Sequence, residues 1–243
     1  MFLSCAVDGV RLACGMTQRL RITANFAISA DGKITNEVHR PSGWTSEEDH
    51  QRLQELRRGA DALLVGRRTL MADRMTMRVV NQDWQPLRCV ITRGGTLTGD
   101  ESLFQTEGGD IHLLSEEIPA LLHRQDVHWH RGSLGDFLTR LHADFGVNHL
   151  HCEGGGNLMQ EIIRLQPPDV IHLTWAAHTL FGGEKSPTIT GVPASAISLE
   201  KGETAWGLSA SLRYQLREAN PSKCGREMFL SYALAEQNLP RDQ

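Results

Sequence analysis

The chain has 243 residues and a formal net charge of −4, with 40% hydrophobic and 22% charged residues. That composition suits one large domain with a packed core. It excludes global disorder, and it excludes nucleic-acid binding driven by bulk positive charge. The five cysteines, Cys5, Cys14, Cys89, Cys152 and Cys224, form no C-x-x-C pair. This argues against a disulfide framework or a structural zinc site and fits a reducing cytosol. No run of 18 apolar residues is present to span a membrane.

Residues 1–18 (MFLSCAVDGVRLACGMTQ) read as a poorly ordered extension. Asp8 and Arg11 interrupt their apolar patch and no basic segment precedes it, which makes a poor signal peptide; Met16 is an alternative start. A domain is expected over residues 19–236, with a tail at 237–243. Residues 19–29 (RLRITANFAIS) have strand character and end at the turn signal Asp31-Gly32. Thr45 or Ser46 can cap a helix with Glu47 and Glu48 in its first turn and Leu53, Leu56 and Ala60 as its buried side. Residues 61–66 (DALLVG) read as a buried strand and 69–72 as a short helical turn. Strands are expected at 87–92, 111–114, 147–152 and 169–175, and helices at 135–143 and 157–165. Residues 208–216 and 227–234 read as an antiparallel pair. Alternating strands and helices predict a mostly parallel sheet covered on both faces, with an antiparallel C-terminal edge.

The stretch HCEGGGNLMQEIIRLQ, from His151 to Gln166, allows two chemistries. His151-Cys152-Glu153 matches the H-x-E half of the zinc deaminases of bases, but the P-C-x-x-C half is absent and three ligands are not found. The other reading is a strand running through Glu153-Gly154-Gly155-Gly156 into a helix. Glycines let backbone N–H groups approach a ligand, and the helix start favours an anion. A tight strand-to-helix turn is the plainer alternative. The position, at the carboxyl end of a strand in an open α/β sheet, favours a ligand. Glu153 would then accept hydrogen bonds from hydroxyl or amino groups. Asp31 beside Lys33 offers a proton-transfer environment or simply a turn. Arg57 and Arg58 either complement the helix dipole, or one of them forks onto a phosphate, with Arg78 and Arg88 as further candidates. Trp44, between Gly43 and Thr45, is placed to shield or stack on a ring.

Five motifs in this order, FAISADGKIT, SGWTS, LRRGADALLVGRRTLMAD, PLRCVIT and EGGGNLMQEII, resemble the reductase domain of riboflavin biosynthesis. That family has a dihydrofolate-reductase-like fold, and the likeness covers about residues 19–232. It implies an NADPH-dependent reduction at C1′ of a phosphoribosylaminopyrimidine to a ribityl chain, by a cytosolic homodimer. Residue by residue, the resemblance assigns Ser42 to substrate and Trp44 to cofactor. It assigns Arg57, or Arg58 at one residue's offset, to the substrate phosphate, with Arg78 as a second arginine. Thr69 and Asp73 match cofactor positions, Glu153 a substrate contact, and Gly155, Gly156, Asn157 and Leu158 the loop over the NADPH phosphates. Asp31 matches the family's Asp-Gly, and Asp31 and Glu153 are the expected catalytic pair; no metal is expected. The segment after LMAD is shorter than the family's and lacks its proline. The family's deaminase half is not represented, so deamination is expected elsewhere. Residues 182–193 resemble the family's loop after the late strand. The missing proline and the short Asp73–Arg78 spacing slightly favour the alternative of a related reductase of another carbonyl, imine or pteridine; a non-catalytic nucleotide-binding module is a third reading.

Overall fold

The computed structural model describes residues 19–38, 43–93, 97–191 and 213–235. The expected N-terminal extension, the C-terminal tail and Ser42 lie outside them. The strands are β1 (Arg21–Ser29), β2 (Ala62–Gly66), β3 (Leu87–Ile91), β4 (Ile111–Leu114), β5 (Val127–His130), β6 (His149–Cys152), β7 (Val170–Ala176), β8 (Tyr214–Pro221) and β9 (Met228–Leu234). The helices are α1 (Glu47–Arg58), α2 (Arg67–Ala72), α3 (Ser102–Gln105), α4 (Leu134–Phe145) and α5 (Gly156–Leu165), with a 3-10 turn at Ala120–His123.

All nine strands form one sheet in the order β5-β4-β3-β2-β6-β1-β7-β9-β8. The pairs from β5 to β7 are parallel, and β7-β9-β8 is antiparallel. This is the expected α/β architecture. Of the expected pair, β9 lies at Met228–Leu234 and β8 runs on to Pro221, beyond the expected end at 216; residues 208–212 lie outside the described residues. The short α3 and β5 were not foreseen; neither has enough residues to show a periodicity.

Two apolar layers hold the sheet. On one face Ile22, Ala24, Leu64, Leu150 and Cys152 pack with Phe137 and Leu141 of α4 and Met159 and Ile162 of α5. On the other, Leu63, Val65, Val90 and Leu113 pack with Leu70 of α2 and Leu103 and Phe104 of α3. Ser133 and Asp136 cap α4 reciprocally, and Gly146, at φ 69°, ends it in the left-handed region that glycine adopts without cost.

Helix α1 differs from expectation. Its cap is Ser46, whose side chain accepts from Asp49 N, but its buried residues are Gln54 and Arg57, not Leu53 and Leu56. The reason lies in the sheet beneath. β1 and β6 turn Thr23, His149 and His151 to this side, a polar surface that a purely apolar helix stripe would leave unsatisfied. The helix is also fastened to the C-terminal strands. Arg52 donates to the carbonyls of Leu173 and Leu230 and lies 5.3 Å from the Phe229 ring centre. Ser46 donates from its backbone and its hydroxyl to Glu227.

Candidate functional site

A cavity of about 1050 Å³ opens at the carboxyl ends of β1, β2, β3 and β6. Parallel strands place their C-terminal loops and the following helix N-termini on one edge, where ligands of open α/β sheets bind. Of the residues expected at a site, Trp44, Arg57, Thr69, Asp73, Arg78, Glu153, Gly155, Gly156, Asn157 and Leu158 line this cavity. They come from five separate segments, brought together by the sheet.

The three glycines have individual reasons. Gly154 adopts φ 95°, and a Cβ there would come 2.8 Å from Phe26. A Cβ on Gly155 would meet Thr69 Oγ1 at 2.8 Å. One on Gly156 would stand 2.3 Å from Gly191 N and 2.6 Å from Thr188 O. So the glycines allow close packing as well as backbone approach to a ligand. The close packing is what the plain-turn reading of this loop requires. Gly155 is the N-cap of α5 and brings no side-chain cap, so the first turn is not closed by its own N-cap residue.

Glu153 follows β6, with its N–H donating to Leu64 O at 2.9 Å. Its carboxylate takes both edges of the Arg57 guanidinium: Nε to Oε1 and Nη2 to Oε2, each at 2.6 Å. The two side chains are 7% and 4% exposed. Burial alone would push the Arg57 guanidinium down. The charge and hydrogen bonds of Glu153 more than offset this and hold it above its ordinary value. The remaining Arg57 nitrogen reaches Arg78 O at 3.4 Å. Arg57, expected on a substrate phosphate, has its fork turned onto Glu153 in this structure. Arg58 is exposed and donates to Val80 O, while Arg67, Arg68, Arg74 and the exposed Arg78 stand around the cavity. Nε of Arg67 is buried with no hydrogen-bond partner among the described residues.

Asp31 and Arg88 do not line the cavity. Asp31 accepts from Ser29 Oγ and from the backbone N–H groups of Phe181 and Gly182, so it locks the turn after β1 to the loop after β7. The Ser29 bond, with those two amides, holds its carboxyl below the usual range. Lys33 points elsewhere, donating to Ser186 O at 3.0 Å. The expected proton-transfer couple is thus a structural turn. Arg88 is buried at the start of β3 and donates to the carbonyls of Leu103, Thr106 and Gly109. Trp44 packs edge-on against Phe181 at 4.9 Å, and its carbonyl accepts from His178.

Beneath the Arg57–Glu153 pair runs a hydrogen-bonded chain whose protons can be placed by elimination. The Gly59 carbonyl only accepts, so His149 Nδ1 carries a proton and its Nε2 accepts from Thr23 Oγ1. Thr23 then accepts from His151 Nδ1 at 2.8 Å, which leaves His151 Nε2 a buried lone pair with no donor among the described residues. Burial first, then neighbouring positive groups, push His151 well below its ordinary range and keep it neutral. Cys152 faces the opposite side of the sheet, among the α4 and α5 side chains, where burial pushes its thiol up to about 12. His151 and Cys152 thus diverge and share no site.

Several cavity residues escaped the sequence reading, among them Asn25, Arg67 and Asp49. Asn25, whose Oδ1 is buried with no partner among the described residues, interrupts an apolar strand. Arg67 follows directly on a strand's carboxyl end, and Asp49 lies in the first turn of α1. The first two positions carried a readable signal; Asp49 looked like dipole complementation.

The family model of the RibD C-terminal domain matches residues 21–208. Among curated proteins, the 2,5-diamino-6-ribosylamino-4(3H)-pyrimidinone 5′-phosphate reductase of Archaeoglobus fulgidus is 27% identical over 187 residues, covering 69% of this chain and 84% of the relative. The protein of that name from Methanothermobacter thermautotrophicus is 29% identical over 180 residues, covering 69% and 82%. Acinetobacter baumannii RibD superposes with a TM-score of 0.73 at 17% identity, over 90% of this chain and 59% of that one. The Thermotoga maritima deaminase/reductase gives 0.70 at 18%, over 90% and 58%, so the chain spans a little over half of these longer proteins. Saccharomyces cerevisiae Rib7, a riboflavin biosynthesis reductase, gives 0.62 at 18%, over 89% and 90%. A match running from the first strand past the glycine loop, with the same sheet architecture in the structural relatives, makes this chain a member of the RibD C-terminal domain family.

Proposed function

We propose that the protein is an NADPH-dependent reductase that converts the ribosyl C1′ of a 5-phosphoribosylaminopyrimidine into the end of a ribityl chain, in riboflavin biosynthesis. The observation that carries this is the convergence, in one cavity, of an α5 start without a side-chain cap and an arginine-fixed carboxylate. The volume, about 1050 Å³, lies at the upper end for a single drug-sized ligand and suits a dinucleotide with a sugar phosphate. The archaeal relatives are named for the diamino form of the pyrimidine, which is the first substrate to test.

The residues present fit the cofactor. The amides of Gly155, Gly156, Asn157 and Leu158, at the positive end of α5 and flanked by Thr69 and Asp73, would hold the diphosphate, and Trp44 would cover the ring. Arg67, with its unpaired Nε, stands with Arg68 and Arg93 where positive charge would meet the 2′-phosphate that distinguishes NADPH from NADH. When bound, the reduced nicotinamide supplies the hydride. Glu153, held by Arg57, accepts N–H or O–H donors of the pyrimidine or sugar. Arg78 and Arg74 stand at the rim for the 5′-phosphate; Ser42, outside the described residues, is a substrate contact by the family resemblance.

A cytosolic homodimer completes the proposal. The face of β7, β9 and β8 turned away from α1 exposes Trp175 and Leu216 beside the partly buried Leu230 and Tyr232, an apolar strip suited to a second copy. The deciding experiment is a fluorescence titration with NADPH and NADH, followed by NADPH oxidation with the diaminopyrimidine substrate. Folded protein that binds neither nucleotide refutes the proposal.

A further inference from the structure

A reduction of this kind takes up one proton with each hydride, and the residue that gives it is the question here; the answer rests on the function proposed above. We propose that Asp49 is a further catalytic residue, the carboxylic acid that donates this proton to the ligand. Among the described residues, five carboxyl side chains line the cavity: Asp49, Asp73, Glu117, Glu153 and Glu161. Glu153 is forked by Arg57, and Glu161 is paired with Arg93 at 2.5 Å. An arginine partner favours the charged form, which has no proton to give. Glu117 is exposed, and Asp73 ends α2 as its C-cap.

Asp49 has a different setting. Thr174 Oγ1 donates to its Oδ1, across from β7. The cation nearest on its own helix, Arg52, directs its Nη1 and Nη2 to the carbonyls of Leu173 and Leu230 and to the hydroxyls of Thr174 and Ser231. Glu227, from the loop before β9, stands against the same turn through Ser46. Burial pushes the Asp49 carboxyl above the usual range and Glu227 pushes the same way, while bonds from Thr174 and Thr45 and the charge of Arg52 oppose. The neutral acid is favoured by its surroundings.

The placement is also right for the step. Asp49, Leu53 and Arg57 lie four residues apart on α1 and all three line the cavity. From Asp49 to Arg57 is about 12 Å along the helix axis. Where the sugar ring of a ligand lies along this stretch of α1, beside Ala27 and Trp44, its O4′ comes within reach of Asp49. As C1′ accepts the hydride, the C1′–O4′ bond breaks and its electron pair goes to O4′. Asp49 passes its carboxyl proton to O4′, becomes a carboxylate, and is reprotonated from water; the balance is one hydride and one proton, with the nicotinamide oxidised.

The test is steady-state NADPH oxidation by the full chain across pH 5–9, with the substrate on which the wild type turns over. For an acid that must hold its proton, kcat falls as pH rises through its pKa. D49N should lower kcat by about 100-fold or more, with KM little changed and the alkaline limb gone. T174V removes a bond that stabilises the carboxylate and should move that limb to higher pH. H50A changes the exposed histidine on the same wall and should leave the limb in place. The inference is overturned by D49N at near wild-type kcat, by an unmoved limb in T174V, or by loss of the limb in H50A. If D49N fails to fold by circular dichroism, the T174V shift decides alone. A wild type that oxidises no NADPH refutes the proposed function and this inference with it; a wild type that turns over beside a fully active D49N refutes the role of Asp49 alone.

Discussion

Replacing Arg57 by alanine leaves the Glu153 carboxylate without its two guanidinium bonds, in surroundings where only 4% of the side chain meets solvent. The pair is bidentate at 2.6 Å on both arms and bridges α1 to the end of β6, residues 96 apart in sequence. Removing one partner of such a buried pair costs about 3–5 kcal/mol, because the other charge stays buried and unpaired. At about 2–4 °C per kcal/mol for a chain of this size, R57A should melt on the order of 10 °C below wild type. The assay is urea unfolding of R57A, E153A and the double variant. The double variant should lose less than the sum of the two singles, by on the order of 1–3 kcal/mol, since each single orphans its partner and the double orphans neither. R57K should recover little, because a point ammonium cannot replace the fork. An R57A cost under about 1 kcal/mol, or strict additivity, would show that the pair is hydrated and loose, and would return Arg57 to a phosphate role.

Other outcomes follow from the same geometry. G156A drives a methyl into Gly191 and Thr188 backbone and should cost about 1–3 kcal/mol; thermal shift with and without NADPH should also show weakened cofactor binding. R67A should reduce affinity for NADPH and leave NADH nearly unchanged in the fluorescence titration, and equal losses for both would remove Arg67 from the 2′-phosphate. Burial and neighbouring histidines lower His112 to about 3, and burial with nearby Arg140 lowers His130 to about 4. These folded-state values lie below the unfolded one near 6.5, so the stability they permit is full above pH 6.5 and declines as pH falls toward about 4. H112F should lose less stability than wild type between pH 7 and 4.5 in denaturant titrations, and an equal loss contradicts the assignment. W175E with L216E should convert a dimer to monomer in sedimentation, and an unchanged sedimentation coefficient would move the interface elsewhere.

The strands with strong apolar runs, such as ALLVG in β2 and IHLL in β4, were legible because local sequence and burial agree there. So was the cap of α1, since Ser46 and the acidic first turn act within a few residues of one another. The glycine loop was legible as a strand-to-helix turn, though its partners Phe26, Thr69 and Gly191 lie on three other segments. β5 stayed hidden because four residues, VHWH, carry too little pattern, and its place at the sheet edge is fixed only by pairing with β4.

By itself the sequence determined the alternation of elements, the parallel sheet and the carboxyl-edge position of the site, all of which follow from hydrophobic period and turn residues. The tertiary structure alone decided what the charged side chains do. It joined Arg57 to Glu153, took Asp31 out of the cavity into a loop lock, and set Asp49 against the Thr174 hydroxyl. A side chain's charge state and direction depend on neighbours tens to more than a hundred residues away along the chain, and only the packed sheet brings those neighbours within hydrogen-bonding reach.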